Sequence, residues 1–157
     1  MRRHLLLAIL GLVGSGTLSA QQAGANDTAA LLRGGFAEVS GWASRAAELV
    51  PADQYDYRPV PTVRTFGQLV GHLADAYNWY CAQASGRQVE WSDAIEKSGA
   101  NKATLVQQLG QALDRCNAVY AGPGALKPML ENVGHTSIHY GNMVTYIRML
   151  GLVPPSS

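Results

Sequence analysis

The sequence predicts an all-α protein that folds as a four-helix bundle. After Gly24, apolar residues recur at helical spacing in four long segments, and connections rich in proline or glycine separate these segments. Alternating patterns typical of strands are scarce. Once its leader is set aside, the 157-residue chain is long enough for one hydrophobic core and too short for two. We therefore expect a single domain over residues 26–157.

Residues 1–25 have the features of an export signal peptide. A basic start, "MRR", precedes an apolar run from Leu5 to Val13, and small residues follow. Because this run is too short for a lasting membrane anchor, we expect cleavage after Ala20 or Ala25. The expected product is a periplasmic or secreted protein with no stable membrane anchor.

The charge of the remaining chain excludes a polyanion as partner. Removal of the leader leaves 10 basic and 11 acidic residues, a net charge near −1 with neutral histidines. Basic runs interleaved with aromatic residues are missing from the sequence. We therefore expect no nucleic-acid binding.

Capping residues and a proline predict the boundaries of the first two helices. Helix 1 is predicted to begin after Asp27 as N-cap and to end before Pro51, because proline cannot continue a helix. Helix 2 is predicted to begin at "TFGQ", where Thr65 and Gln68 can form a capping box. The predicted core stripes are Leu32, Phe36, Val39, Trp42, Ala46 and Leu49 in helix 1, and Phe66, Leu69, Leu73, Tyr77, Tyr80 and Ala84 in helix 2.

The second connection, residues 85–101, determines the expected chain direction. It precedes helix 3 (102–121, stopped by "GPG") and helix 4 (from near Pro128 to about Leu150). Its length exceeds what antiparallel neighbours need, so helices 2 and 3 are expected to run parallel. Cys81 and Cys116 would then lie at the same height and could form a disulfide; the alternative is two free, buried cysteines.

Three histidines are candidate metal ligands. His135 and His139 in "HTSIH" lie four residues apart, so a helix places both imidazoles on one face. His72 borders the core stripe of helix 2, and a bundle can bring it to face the pair. Reactive zinc sites use three protein ligands and leave a position for water or substrate. The alternative is that these histidines are hydrogen-bonded packing residues.

Polar neighbours could support such a site. Glu131 and Asn142 lie one turn on either side of the histidine pair, and Asp75 follows His72 by three residues. Each could accept an imidazole N–H, or could simply be a solvated surface residue. Asp75 and Glu131 are the weak candidates for a catalytic role in proton transfer.

The chain resembles the DinB/YfiT-like superfamily of small four-helix proteins. The resemblance rests on "FGQLVGHLADAYNWYC", on "HTSIHYGNMVTYIRMLGLVPPSS" and on the long second connection, and it extends over residues 31–155. It implies a bundle with parallel helices 2 and 3, frequent homodimers, and a divalent ion held by His72, His135 and His139. Zinc or nickel is the ion most often implied; iron, manganese or copper would also suit imidazoles.

These observations leave several functions open. The leading hypothesis is an exported metal-dependent hydrolase or transferase acting on a small molecule. Some relatives implied by the resemblance are thiol transferases, but thiol cofactors are largely cytoplasmic, which disfavours that activity for an exported chain. The alternatives are a non-catalytic periplasmic metal-binding or stress protein and a purely structural bundle.

Overall fold

All regular secondary structure of the described residues is helical. A computed structural model describes residues 15–157, and for 15–23 it gives the backbone alone. It contains four long helices, α1 (Ser15–Leu49), α2 (Phe66–Ala84), α3 (Lys102–Ala121) and α4 (Leu126–Met149), and a short 3-10 turn at Ala52–Gln54. This confirms the predicted all-α class. The basic start and apolar run of the leader lie outside the described residues, so the signal peptide and its cleavage stay predictions.

None of the helices in residues 15–157 combines the length and the apolar character needed to span a membrane.

The helix boundaries follow local capping, with one correction. The Gln68 amide donates to Thr65 Oγ1 (3.1 Å) and the Thr65 amide to Gln68 Oε1 (2.8 Å), which confirms the capping box. Asn101 caps α3 by accepting from the Thr104 amide. The predicted start of helix 1 after Asp27 is wrong, because α1 begins at Ser15. The intervening segment has no proline, so its backbone can stay helical through Asp27 despite Gly16 and Gly24.

Each helix packs mainly against two others. α1 and α2 each contact both α3 and α4. Gly67 lies beside Leu105 near the starts of α2 and α3, and Cys81 bonds Cys116 further along, so these two helices run parallel as predicted. α4 runs antiparallel to α2 and parallel to α1, which gives an up, down, down, up bundle.

A disulfide joins the parallel pair. Cys81 and Cys116 are bonded, with Cα atoms 5.3 Å apart, and both are buried. The alternative of two free cysteines is therefore wrong. The parallel direction is what places the two residues at one height.

The core forms where the predicted stripes meet. Phe36 of α1 stacks on Tyr120 of α3 at 4.3 Å and meets the edge of Tyr77 of α2 at 5.3 Å. Most of the predicted stripe residues are buried. Leu49 is an exception at 40% exposure, because it is the last residue of α1 and lies beyond the packed face.

Candidate metal centre

The antiparallel packing of α2 and α4 brings the three histidines together. His72 comes from α2, and His135 and His139 come from successive turns of α4. His72 Nε2 lies 3.1 Å from His135 Nε2, and the three ring centroids are 4.4 to 5.1 Å apart. One nitrogen from each ring lies within 4.8 Å of the others. This buried cluster could bind a metal ion.

The cluster favours neutral imidazoles. His72 is buried at 6% exposure, and His135 and His139 are partly buried. Burial is the main cause that lowers the pKa of His135 to about 4 and of His139 to about 3, and neighbouring imidazoles add to it. Burial also lowers the pKa of His72, and Arg64 acts in the same direction. Neutral rings keep the lone pairs that a metal ion requires.

The donor set fits a divalent ion. Zn–N bonds of about 2.0 to 2.1 Å in a tetrahedron place two nitrogens roughly 3.3 Å apart. The His72 and His135 Nε2 atoms are 3.1 Å apart, close to that separation. His135 Nδ1 is buried and has no hydrogen-bond partner within the described chain. Nδ1 is not the ring nitrogen that faces His72, so the fit to an ion rests on the separation of the two Nε2 atoms and not on this unpaired atom.

Glu96 is the residue that orients His72. Its Oε2 lies 2.8 Å from His72 Nδ1, and its Oε1 accepts from Arg64 Nε at 2.8 Å. A carboxylate can only accept, so Nδ1 carries the proton and the lone pair of His72 is on Nε2, toward His135. The arrangement is a carboxylate–histidine pair of the kind that fixes the tautomer of metal-binding histidines.

Two features of α2 position Glu96. The buried Asp75 carboxylate accepts from the amides of Ile95 and Glu96, at 3.1 and 2.9 Å. Gly71 allows the connection to approach, since a Cβ there would lie only 2.8 Å from Glu96 Cα. The segment that sequence analysis treats as a linker is therefore anchored on α2 and delivers a side chain to the histidines.

The other predicted neighbours have different partners. The Asp75 carboxylate holds the connection, Glu131 forms an exposed ion pair with Lys127, and Asn142 Nδ2 lies 3.5 Å from His139 Nδ1. A proton-transfer role for Asp75 or Glu131 stays a prediction. Sequence analysis missed Glu96; the available signals were an acidic residue in the second connection and Gly71 within the core face of α2.

Aromatic residues and a second acidic group surround the cluster. Trp91 lies 5.6 Å from His72, and Tyr80 lies 5.5 Å from His135, both between ring centroids. His72, Asp93 and Glu96 form another group with metal-ligating atoms. Asp93 accepts from Trp91 and Lys97, and both Glu96 oxygens are engaged, so these carboxylates already have partners. The three imidazoles are the better candidate ligands.

Comparison with known proteins identifies the family of this chain. No curated protein and no solved structure matches the chain. The sequence model of the DinB superfamily matches residues 42–153, which include all three histidines. The family and the histidine cluster together fit a metal-binding protein. Because the match extends over most of the sequence and the fold agrees with it, the chain belongs to the DinB superfamily.

Proposed function

We propose that this protein is an exported metal-dependent enzyme, a hydrolase or transferase of a small molecule, with His72, His135 and His139 holding a divalent ion. The observation that carries the proposal is the convergence of three neutral, largely buried imidazoles from α2 and α4 on one point. Three ligands leave coordination positions for water or substrate, as reactive sites require.

The metal-binding part of the proposal rests on the chemistry of the donors. Three imidazoles suit zinc, nickel, copper and iron, and zinc or nickel is proposed as the resident ion. Glu96 accepts the Nδ1–H of His72, so that the lone pair on Nε2 is free to bind the metal ion.

The catalytic part rests on what such an ion supplies and what the chain contributes. When bound, a divalent ion acts as a Lewis acid that polarises a substrate carbonyl or acidifies a water molecule. The chain's own residues keep three ring nitrogens deprotonated at neutral pH, fix the tautomer of His72 and surround the cluster with Trp91 and Tyr80.

The features of residues 1–25 support the proposal that the protein is exported. The basic start, the apolar run and the small residues that follow support a periplasmic or secreted location. Fusion of residues 1–25 to a reporter that is active only outside the cytoplasm tests this part, with Leu6→Arg and Leu7→Arg together as the variant expected to abolish export.

The test of function is turnover by protein loaded with a single metal. Zinc- and nickel-loaded protein is assayed against small esters, amides and lactones for hydrolysis, and against activated esters with amine or thiol acceptors for transfer. We expect turnover that the His135→Ala, His139→Ala double variant loses. Saturating metal binding without turnover in either panel would contradict the enzymatic proposal and favour a metal-binding or stress protein.

A further inference from the structure

A groove beside the histidine cluster has the character of an anion site. We propose that it binds a small organic carboxylate through Arg64, and that this carboxylate is part of the substrate. The inference rests on the proposed function for the role of the ligand as substrate, whereas the anion site itself does not depend on a bound metal.

The groove lies between the first connection, the start of α2 and the second half of α4. Its volume is about 570 Å³, enough for a small organic molecule. Apolar residues Pro59, Val63 and Leu69 form part of its lining, and Arg64, Gln68 and Asn142 supply polar groups. Apolar walls with a few polar side chains are typical of sites for small organic ligands.

Arg64 has hydrogen-bond donors that its contact with Glu96 does not use. Its side chain is 39% exposed, and only Nε is engaged by Glu96 Oε1. Its two Nη groups make no hydrogen bond within residues 24–157. Tyr146 OH donates to the Arg64 carbonyl at 2.8 Å and fixes the backbone at this point. A held guanidinium with free Nη groups presents the planar fork that matches a carboxylate.

Single side chains separate the groove from the histidines. Glu96 lines it and binds His72 Nδ1, and Asn142 lines it and lies 3.5 Å from His139 Nδ1. Arg64 is also close enough for its charge to act on all three imidazoles. A ligand with its carboxylate on Arg64 would therefore extend its other end toward the cluster.

The charge of the groove favours a monoanion. Glu96 lies in the same wall as Arg64, but both its oxygens are occupied by Arg64 and His72. The pair has little net charge, so a ligand is held mainly by hydrogen bonds to the Nη groups, and the Glu96 carboxylate repels a dianionic phosphate more strongly than a monoanionic carboxylate. A carboxylate with an apolar body satisfies both the free Nη donors and the apolar lining.

The test uses benzoate as the probe, titrated into full-length mature protein and followed by amide NMR shifts, in metal-free and zinc-loaded samples. We expect saturable shifts at the side-chain amides of Gln68 and Asn142 in both samples, and weaker shifts with inorganic phosphate. Arg64→Gln should weaken benzoate binding about tenfold, as for loss of a charge-assisted hydrogen bond. Arg115→Gln is the matched control, because Arg115 lines a different groove and contacts Asn78.

A second variant keeps the benzoate test valid if Arg64→Gln fails to fold. Gln68→Glu retains the capping box, since glutamate serves at that position, and adds a negative charge to the groove. It should also weaken benzoate binding about tenfold. Equal benzoate affinity in wild type, Arg64→Gln and Gln68→Glu would overturn the inference. Benzoate binding to a protein that takes up no metal would support the anion site and refute only the proposed metal-dependent enzyme.

Discussion

Glu96 Oε2 lies 2.8 Å from His72 Nδ1, and this contact joins the long second connection to the histidine cluster. It leaves the lone pair of His72 on Nε2, where it could bind a metal ion, and the connection thereby positions a candidate metal ligand. The contact also links the cluster to Arg64, which binds the other carboxylate oxygen.

Loss of this carboxylate should weaken metal binding without unfolding the protein. We expect Glu96→Gln to lower zinc affinity by about 10- to 100-fold, the usual effect of removing a partner of a metal-binding histidine. Competition with a chromophoric chelator measures the affinity. Nitrogen-15 NMR of the metal-free protein should show His72 protonated on Nδ1 in wild type and a mixture of tautomers in the variant. Glu90→Gln, in an exposed part of the same connection, should change neither quantity.

The approach of the connection to α2 depends on Gly71. A side-chain carbon there would lie 2.8 Å from Glu96 Cα and 2.9 Å from its amide nitrogen, so Gly71→Ala must displace this segment. We expect a loss of about 1 to 3 kcal/mol in the free energy of unfolding, as for overpacking, with weaker zinc binding. Urea denaturation and chelator competition measure the two effects.

Gly110 provides the control for that substitution. It lies within α3, and a Cβ there meets no atom within 4 Å. Gly110→Ala should therefore raise stability by about 0.5 to 1 kcal/mol through helix propensity and leave zinc affinity unchanged. Equal effects of the two alanines would show that the close approach at Gly71 has no structural role.

The disulfide should contribute substantially to stability. Cys81 and Cys116 are separated by 35 residues, and closing a loop of that length stabilises a fold by about 4 kcal/mol in the chain-entropy account. We expect a reducing agent to lower the urea midpoint of wild type. The Cys81→Ala, Cys116→Ala variant should have a low midpoint with or without reductant. A wild-type midpoint insensitive to complete reduction would contradict this expectation.

The histidine cluster should make the metal-free protein less stable in acid. Burial holds the pKa of His135 near 4 and of His139 near 3, below the ordinary value of about 6.5 expected in the unfolded chain. Between these values the unfolded state binds more protons than the folded state, so stability is complete above pH 6.5 and falls as pH decreases toward 4. Urea midpoints measured from pH 7.5 to 4.5 in the presence of chelator test this.

The same pH series has a specific control. His135→Gln, His139→Gln removes both titrating rings, so its urea midpoint should fall less steeply between pH 6.5 and 4.5. An identical slope in wild type and variant would mean that these two imidazoles do not titrate differently on folding.

Sequence periodicity could predict the helices and the pair His135 and His139 because both are local patterns, whereas the approach of His72 to this pair was expected from bundle packing and from the family resemblance. The capping box at Thr65 and the spacing of His135 and His139 depend on a few neighbouring residues. The parallel direction of α2 and α3 followed from the length of their connection. Glu96 could not be assigned in this way, because its contact with His72 depends on how an irregular segment folds back onto α2.

The start of α1 illustrates a different limit. An N-cap signal at Asp27 predicts a helix start, but no proline on its N-terminal side breaks the chain, and α1 continues through Asp27 from Ser15. The groove at Arg64 was also beyond sequence analysis, since it brings residues 59–69 against Asn142 and Tyr146 of α4.

His72, His135 and His139 are proposed to form one metal site. The most direct measurement is elemental mass spectrometry of protein purified from its native compartment, together with zinc and nickel titration of the metal-free form. The comparison uses His135→Ala, His139→Ala and the matched control Ser137→Ala, Thr145→Ala, two exposed residues of the same helix. We expect about one ion per chain in wild type and control and none in the histidine variant. Metal-free wild type that also fails to bind added zinc or nickel would contradict it.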